Sequence, residues 1–414
     1  MSSILTNASA MVALQTLNSI NKDLAMTQSE ISTGRSIASA KDGSAIWAIS
    51  QVMQSDVDGF GAISDSLALG ESTVAVGRNA SESVTSLLNQ AKEKIVAAQE
   101  DNVDRSKLQT ELASLRDQIN GIVGAAQFNG QNLLSNASQT AGDGTVDVLA
   151  SLDRAANGSV SAASITVNKQ DLGQVDSVAG TGAFAAGATI SAAGAIGAGA
   201  TEAYTITPAN IAIGTAFQFD AALFGGTGDM LYVAREGDTA SDIASALVAR
   251  TNMDRAGNGA AMGDYTIAAV NGTIEVTNNT AAAGATLAAA DLEFKATGVG
   301  AAANTIGGGL ELLGDLDVSS ANGAAAALEA IEFLTQKSIN AAANFGTSEK
   351  RLEIQSEFVN KLSDSLRVGI GALVDANMEE ASARLQALQV QQQLGIQSLS
   401  IANQAPQSIL SLFR

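Results

Sequence analysis

The sequence holds few side chains of the kinds that perform catalysis or bind metal ions. It has no cysteine and no histidine, which excludes disulfides, thiol nucleophiles, zinc–thiolate sites and the commonest general base. Carboxylates are plentiful but scattered, and no motif would bring two of them into one pocket. Gly307, Gly308 and Gly309 resemble a phosphate loop in glycine content only, because the Lys-Ser/Thr and the preceding strand are missing. The sequence therefore predicts no enzyme and no cofactor or metal site.

The charge balance narrows the choice of partners. Asp and Glu outnumber Lys and Arg by 42 to 22, a net charge of -20. Such a chain lacks the cations that replace the counterions of nucleic acid, and it repels anionic membranes. There is no run of about 18 to 20 strongly apolar residues, and the start of the sequence lacks a basic leader. We expect no nucleic-acid or membrane partner and, if the chain is exported, a route without a cleaved leader.

The elements at the two ends are long helices with an apolar stripe. In the first, over about residues 3–33, apolar side chains recur at spacings of three and four, with Thr27 as a weak position. The last part of the chain repeats this spacing up to Pro406, which should close the helix. The stripe residues are Leu17, Ile20, Leu24 and Ile31 at the front, and Leu385, Leu388, Leu399, Leu410 and Phe413 at the back. A helix with one apolar stripe needs a partner in water, so the two ends should pair.

Three more helices are predicted between these ends. They cover about residues 71–99, the stretch after the N-cap residue Asp104 to about 126, and residues 331–366. Asn129-Gly130 then marks a tight turn. Together with the ends, these helices indicate an elongated bundle.

The middle of the chain has a different pattern. Short β-prone runs alternate with Gly-rich breaks, a helix is predicted over 240–250, and Asn271-Gly272 indicates a hairpin. The Ala/Gly stretches 178–200 and 281–303 indicate loops or poorly specified strands. The predicted fold is mainly α with an inserted β-rich (α+β) domain, built on an elongated coiled-coil helical bundle formed by the paired N- and C-terminal segments. The expected domains are an inner-core coiled coil (1–40 plus 368–414), a helical bundle (41–140 plus 310–367) and a variable outer β-rich domain (141–309).

Four segments of the sequence resemble bacterial flagellin, of the alphaproteobacterial type. They are residues 2–11, 24–34, 125–134 (Ala-Ala-Gln-Phe-Asn-Gly-Gln-Asn-Leu-Leu) and 399–414. The resemblance covers about 135 residues at the front and about 95 at the back, in the family's order. It implies a subunit that polymerises with itself into the extracellular filament used for swimming. The stripe residues above would then be its assembly interface.

The same resemblance implies further partners. They are the flagellar export apparatus, which would recognise an uncleaved N-terminal segment, an export chaperone and the filament cap. Two prolines and no cysteines suit a chain that is threaded unfolded and refolds at a growing tip, because slow isomerisation and disulfide traps are mostly absent.

The region that corresponds to the contact site of the vertebrate innate receptor departs from the family pattern. Gln90 stands where an Arg is expected and Lys94 where a Leu is expected, whereas Glu111 matches an acidic contact position. Each change should cost the interface on the order of 1 kcal/mol or more. We expect weak or absent receptor activation.

Other functions remain open at this point. A hook–filament junction protein shares flagellin-like ends, occurs in few copies and does not elongate alone. A signalling coiled coil fits the helical ends but not the β-rich insertion or the apolar Phe413. An enzyme inserted in the middle segment would lack His and Cys.

Overall fold

The computed structural model describes residues 7–155, 159–180, 188–192, 196–206, 211–220, 224–280, 293–296 and 304–412. For residues 188–192, 293–296 and 405–412 we describe the backbone alone. The chain forms two compact units. One contains Met1–Ser64 and Glu357–Arg414, and the other contains Asp65–Ser356.

The first unit is built from helices. Helix α1 spans Ala8–Thr33, and α2, which spans Ser44–Ala97, begins here. Helix α5, Ala321–Val374, ends in this unit, and α6 follows over Met378–Leu412. A small core joins α2 to α5 through three buried residues, Val57, Ile370 and Val374.

Several helix boundaries differ from the sequence prediction: α5 extends beyond the predicted range 331–366 at both ends, the helix predicted over 240–250 continues to Gly257, and α2 and α6 are also longer than predicted. Helix α2 begins well before residue 71, because Val57, Phe60, Ile63 and Leu67 form a buried stripe that the low helix propensity of the nearby glycines concealed. Helix α6 continues through Pro406, where we predicted an end. Proline removes one helix hydrogen bond, and a neighbouring donor can satisfy the freed carbonyl.

The second unit contains a helical layer made of α2, α5 and α3, which spans Arg105–Ala125. The Asp104 side chain accepts a hydrogen bond from the Lys107 amide, which confirms the predicted N-cap. Helices α2 and α5 are joined by polar contacts, including the 2.6 Å ion pair between Arg78 Nε and Glu349 Oε2.

Two antiparallel hairpins follow α3. Strands β1 (Gln127–Phe128) and β2 (Gln131–Asn132) enclose the predicted turn, in which Asn129 has φ +49° and Gly130 has φ +80°. Strands β3 (Thr145–Arg154) and β4 (Val160–Asn168) form the second hairpin. Strand β3 was not predicted, since its alternation is interrupted by a register shift between Leu149 and Ser151.

The remaining strands form two small antiparallel sheets beside one helix. The first sheet has the order β6-β10-β9 and the second β5-β11-β7-β8. The strands are β5 (Ala188–Ala192), β6 (Thr201–Thr205), β7 (Ala216–Asp220), β8 (Asp229–Val233), β9 (Tyr265–Val270), β10 (Thr273–Asn278) and β11 (Glu293–Ala296). Helix α4 spans Ala240–Gly257 and packs Ile243 and Leu247 into their shared core.

The hairpin at Asn271-Gly272 is confirmed, because both residues have positive φ and join β9 to β10.

The long helices at both ends and the small sheets between them confirm the predicted mainly α fold with an inserted β-rich region.

Candidate assembly surface

One cavity among the described residues is polar, and the carboxylates of Asp171 and Asp238 in its lining are already hydrogen-bonded. It measures about 650 Å³ and is lined by Asp171, Arg235, Asp238 and Lys337, among others. The Asp171 carboxylate accepts three backbone N–H bonds, and Asp238 accepts from Tyr232 Oη and from the Arg235 amide. Burial and the nearby charge of Arg235 lower the pKa of Lys337. These carboxylates hold the backbone together, and the described part of the chain contains no cluster of acidic residues able to bind a metal ion.

The three consecutive glycines pack against another stretch of backbone. Gly308 N donates to Val175 O at 2.6 Å, and Leu310 N donates to Gly173 O at 2.7 Å. A Cβ on Gly309 would collide with the carbonyl oxygen of Asp171. The glycines are therefore required by the close approach of two chain segments, which leaves no space for a phosphate.

Helices α1 and α6 pair antiparallel, and hydrogen bonds mark both ends of the pair. At one end, Asn7 Nδ2 donates to Ala402 O at 2.8 Å. At the other end, where Gly34 terminates α1 with φ +69°, Ala376 N donates to Gly34 O at 3.0 Å. Between them, Gln392 Nε2 donates to Asn21 Oδ1 at 2.7 Å. The paired ends that the sequence predicted are present within a single chain.

The predicted stripe residues face the seam of this pair. Ile20 and Leu388 are buried, and Leu17, Leu24, Ile31, Leu385 and Leu399 are half-buried. The backbone of Leu410 lies in the last turn of α6, whereas Phe413 lies outside the described residues. Thr27 is 2% exposed, so this weak position of the sequence pattern is a central position of the seam.

A second set of apolar residues on the same helices faces away from the seam. Each of these side chains is at least half exposed in the single chain. They are Met11, Val12, Leu14 and Met26 on α1, and Val390, Leu394, Ile396 and Ile401 on α6. Exposed apolar residues this dense are typical of an interaction surface. We call this set the outer face; the sequence alone does not separate it from the seam, because both sets of side chains are apolar.

The residues of the receptor-like region lie on α2 and α3. Lys94 Nζ forms a 2.7 Å ion pair with Glu111 Oε2, and the hydrogen bond with Glu111 raises the pKa of Lys94. Gln90 is exposed on α2. The acidic side chain at position 111 thus already has a cationic partner within the chain.

Within the described residues, no helix is both long enough and apolar enough to cross a membrane.

Paired terminal helices, an apolar outer face and an inserted β-rich region are features of a structural protein. Two family models match these ends, the bacterial flagellin N-terminal helical region over residues 4–139 and the C-terminal helical region over residues 328–413. The chain is 37% identical over 428 residues to "Flagellin A" of Rhizobium meliloti, with all of both chains covered. It is 29% identical over 417 residues to "Flagellin FljM" of Caulobacter vibrioides, covering 100% of this chain and 99% of the relative. The chain therefore belongs to the bacterial flagellin family.

Among solved structures, the chain is distantly similar to flagellar hook associated protein-3 from Legionella pneumophila. The TM-score is 0.36 at 11% identity, covering 78% of this chain and 98% of that one.

Family membership identifies the class of function. The protein is a structural subunit that polymerises into the filament of the bacterial flagellum, which is extracellular, and it is not an enzyme. The full-length relatives are flagellins, so they do not support the alternative of a hook–filament junction protein.

Proposed function

We propose that the two apolar faces of the α1–α6 pair have different roles in filament assembly. The seam residues Leu17, Ile20, Leu24, Ile31, Leu385, Leu388 and Leu399 hold the pair together, and the outer face contacts neighbouring subunits. The observation that carries this proposal is the exposure of apolar side chains on both helices although the seam is already filled. Burying such side chains is favourable by about 25 cal/mol per Å², so a second copy of the chain is a natural cover. Leu410 and Phe413 would extend the apolar end of α6.

The exposed Leu394 provides the test of the outer face. Leu394→Glu should leave the α1–α6 pair intact, because the side chain is 56% exposed, but it should abolish polymerisation by placing a charge in the contact between subunits. Seeded assembly is followed by electron microscopy, and helicity by circular dichroism. Gln393→Glu adds the same charge at a neighbouring exposed polar position and should still polymerise. Normal filaments from Leu394→Glu would refute the role of the outer face.

We further propose a three-part division of the filament subunit. Residues 1–40 and 368–414 would form the inner core, residues 41–140 and 310–367 the next helical layer, and residues 141–309 the outer domain. The different chemistry of the ends and the middle supports this division.

Export is proposed to follow the family route. The chain would pass unfolded through the flagellar export apparatus with the help of a chaperone, keep its N-terminal segment, and fold beneath the filament cap. The two prolines and the absence of cysteine support this proposal, since few slow covalent steps would delay folding.

The region around Gln90, Lys94 and Glu111 is proposed to interact poorly with the innate receptor. Lys94 neutralises Glu111 through the 2.7 Å ion pair and occupies the place of an apolar contact. A receptor cation would have to compete with Lys94 for this carboxylate.

A receptor reporter assay tests this proposal. The unmodified protein should give little response at nanomolar concentration, and the double variant Gln90→Arg with Lys94→Leu should gain at least roughly ten-fold in potency, because two unfavourable contacts are removed. Lys92→Leu, a change of the same type on the same helix, serves as the control and should gain nothing. A strong response from the unmodified protein would contradict the proposal.

A further inference from the structure

The side chain of Asn7 contacts both terminal helices at once. Its Oδ1 accepts a hydrogen bond from Ala10 N at 3.1 Å and so caps the first turn of α1. Its Nδ2 donates to Ala402 O on α6 at 2.8 Å. One amide group therefore satisfies a free N–H of one helix and a carbonyl of the other.

The carbonyl of Ala402 needs this outside donor because of Pro406. In an α-helix the carbonyl of residue i accepts from the N–H of residue i+4, and proline has no N–H. Helix α6 nevertheless runs through Pro406 to Leu412. Position 402 is four residues before Pro406, so Asn7 supplies the hydrogen bond that the proline removes.

Few residue types could perform both tasks at position 7. Ser, Thr and Asp cap a helix well, but an ionised Asp has no donor, and in Ser or Thr a single oxygen would have to lie within hydrogen-bond distance of both Ala10 N and Ala402 O. Asn combines an acceptor oxygen with an NH₂ group in a short side chain. The pairing is also specific in register. A slip of one residue along α6 moves the next carbonyl by about 1.5 Å along the axis and about 100° around it.

We infer that Asn7 is a positioning residue that fixes the register of α1 on α6 and makes the two helices order together. The inference rests on the proposed function, because the register decides which side chains form the outer face. The side chain of Asn7 then supplies the hydrogen bond to Ala402 O that Pro406, which has no N–H, cannot donate.

A double-mutant cycle on the full-length chain tests this inference. The four proteins are the unmodified chain, Asn7→Asp, Pro406→Ala and the double variant. Asn7→Asp keeps an acceptor oxygen for the cap but, when ionised, has no donor, and Pro406→Ala restores the backbone N–H that the carbonyl of Ala402 needs. Amide hydrogen exchange, read by mass spectrometry over residues 8–33 and 378–405, is measured in solution and in seeded polymer.

The expected result is a strong interaction between the two positions. Asn7→Asp should speed exchange in both segments about five-fold when Pro406 is present, which corresponds to one net hydrogen bond, and hardly at all in the Pro406→Ala background. If Asn7→Asp alone fails to polymerise, Pro406→Ala should restore assembly. Equal effects of Asn7→Asp in both backgrounds, no effect in either, or no restoration would overturn the inference.

The cycle at positions 7 and 406, compared with the assembly of Leu394→Glu, separates this inference from the proposed function. If Leu394→Glu assembles normally, the proposed role of the outer face is refuted, but the hydrogen-exchange evidence on Asn7 and Pro406 is unaffected. If the effects at positions 7 and 406 are additive, the role of Asn7 in fixing the register is refuted, but the evidence from Leu394→Glu on the outer face is unaffected.

Discussion

Leu388→Glu is expected to abolish filament formation and to unfold the terminal helices together. Leu388 is 7% exposed in the seam between α1 and α6. A carboxylate placed there has no cationic partner among the seam residues described above, and burying it would cost several kcal/mol. The pair would separate, and α1 would lose the partner that its apolar stripe requires. Circular dichroism of the soluble chain and seeded assembly measure the two consequences.

The control for this prediction is Leu388→Met, which keeps the volume and apolar character of the seam. It should cost less than about 1.5 kcal/mol and should still polymerise. The comparison with Leu394→Glu is equally informative, since that variant should keep its helicity and lose only assembly. Filaments of normal length from Leu388→Glu would show that the seam is not needed.

Gly309→Ala is expected to destabilise the second unit strongly. The added Cβ would meet the backbone carbonyl of Asp171, which the amides of Gly173 and Gly309 hold through the Asp171 side chain. Backbone atoms on both sides cannot move away as a flexible side chain would. We expect a loss of about 3 kcal/mol in the free energy of unfolding, measured by denaturant titration of the soluble chain.

The matched control is Gly121→Ala on α3. A Cβ at Gly121 meets no atom within 4 Å, and alanine favours the helix by about 1 kcal/mol relative to glycine. The same substitution should therefore stabilise slightly at one position and destabilise strongly at the other. A similar small change at both positions would refute the close packing of the glycine segment.

Much of the helical architecture could be predicted because its signals are local. The cap at Asp104 and the turns at Asn129-Gly130 and Asn271-Gly272 follow from short-range backbone chemistry, and all three are confirmed. The seam likewise follows from a repeat that is visible in the sequence. Thr27 was undervalued because a periodicity search scores hydrophobicity, whereas a small side chain suits a closely packed seam.

The features that could not be predicted depend on contacts distant in sequence. The continuation of α6 through Pro406 involves a side-chain donor at Asn7, which lies 395 positions before its acceptor, Ala402. The role of Gly307, Gly308 and Gly309 depends on the chain near Asp171, and glycine content alone suggested a different explanation. The outer face is recognised only once the seam is known, because both sets of side chains are apolar.

The inserted region begins and ends at two paired residues. Val178 and Thr305 exchange two backbone hydrogen bonds, of 3.0 and 2.7 Å, so the two ends of the segment 179–304 are adjacent. These two hydrogen bonds offset part of the conformational entropy that is lost when the ends of the segment are brought together. A foreign domain whose two termini lie one strand spacing apart could be joined at these two positions in place of residues 179–304, without a break in α1, α2, α5 or α6.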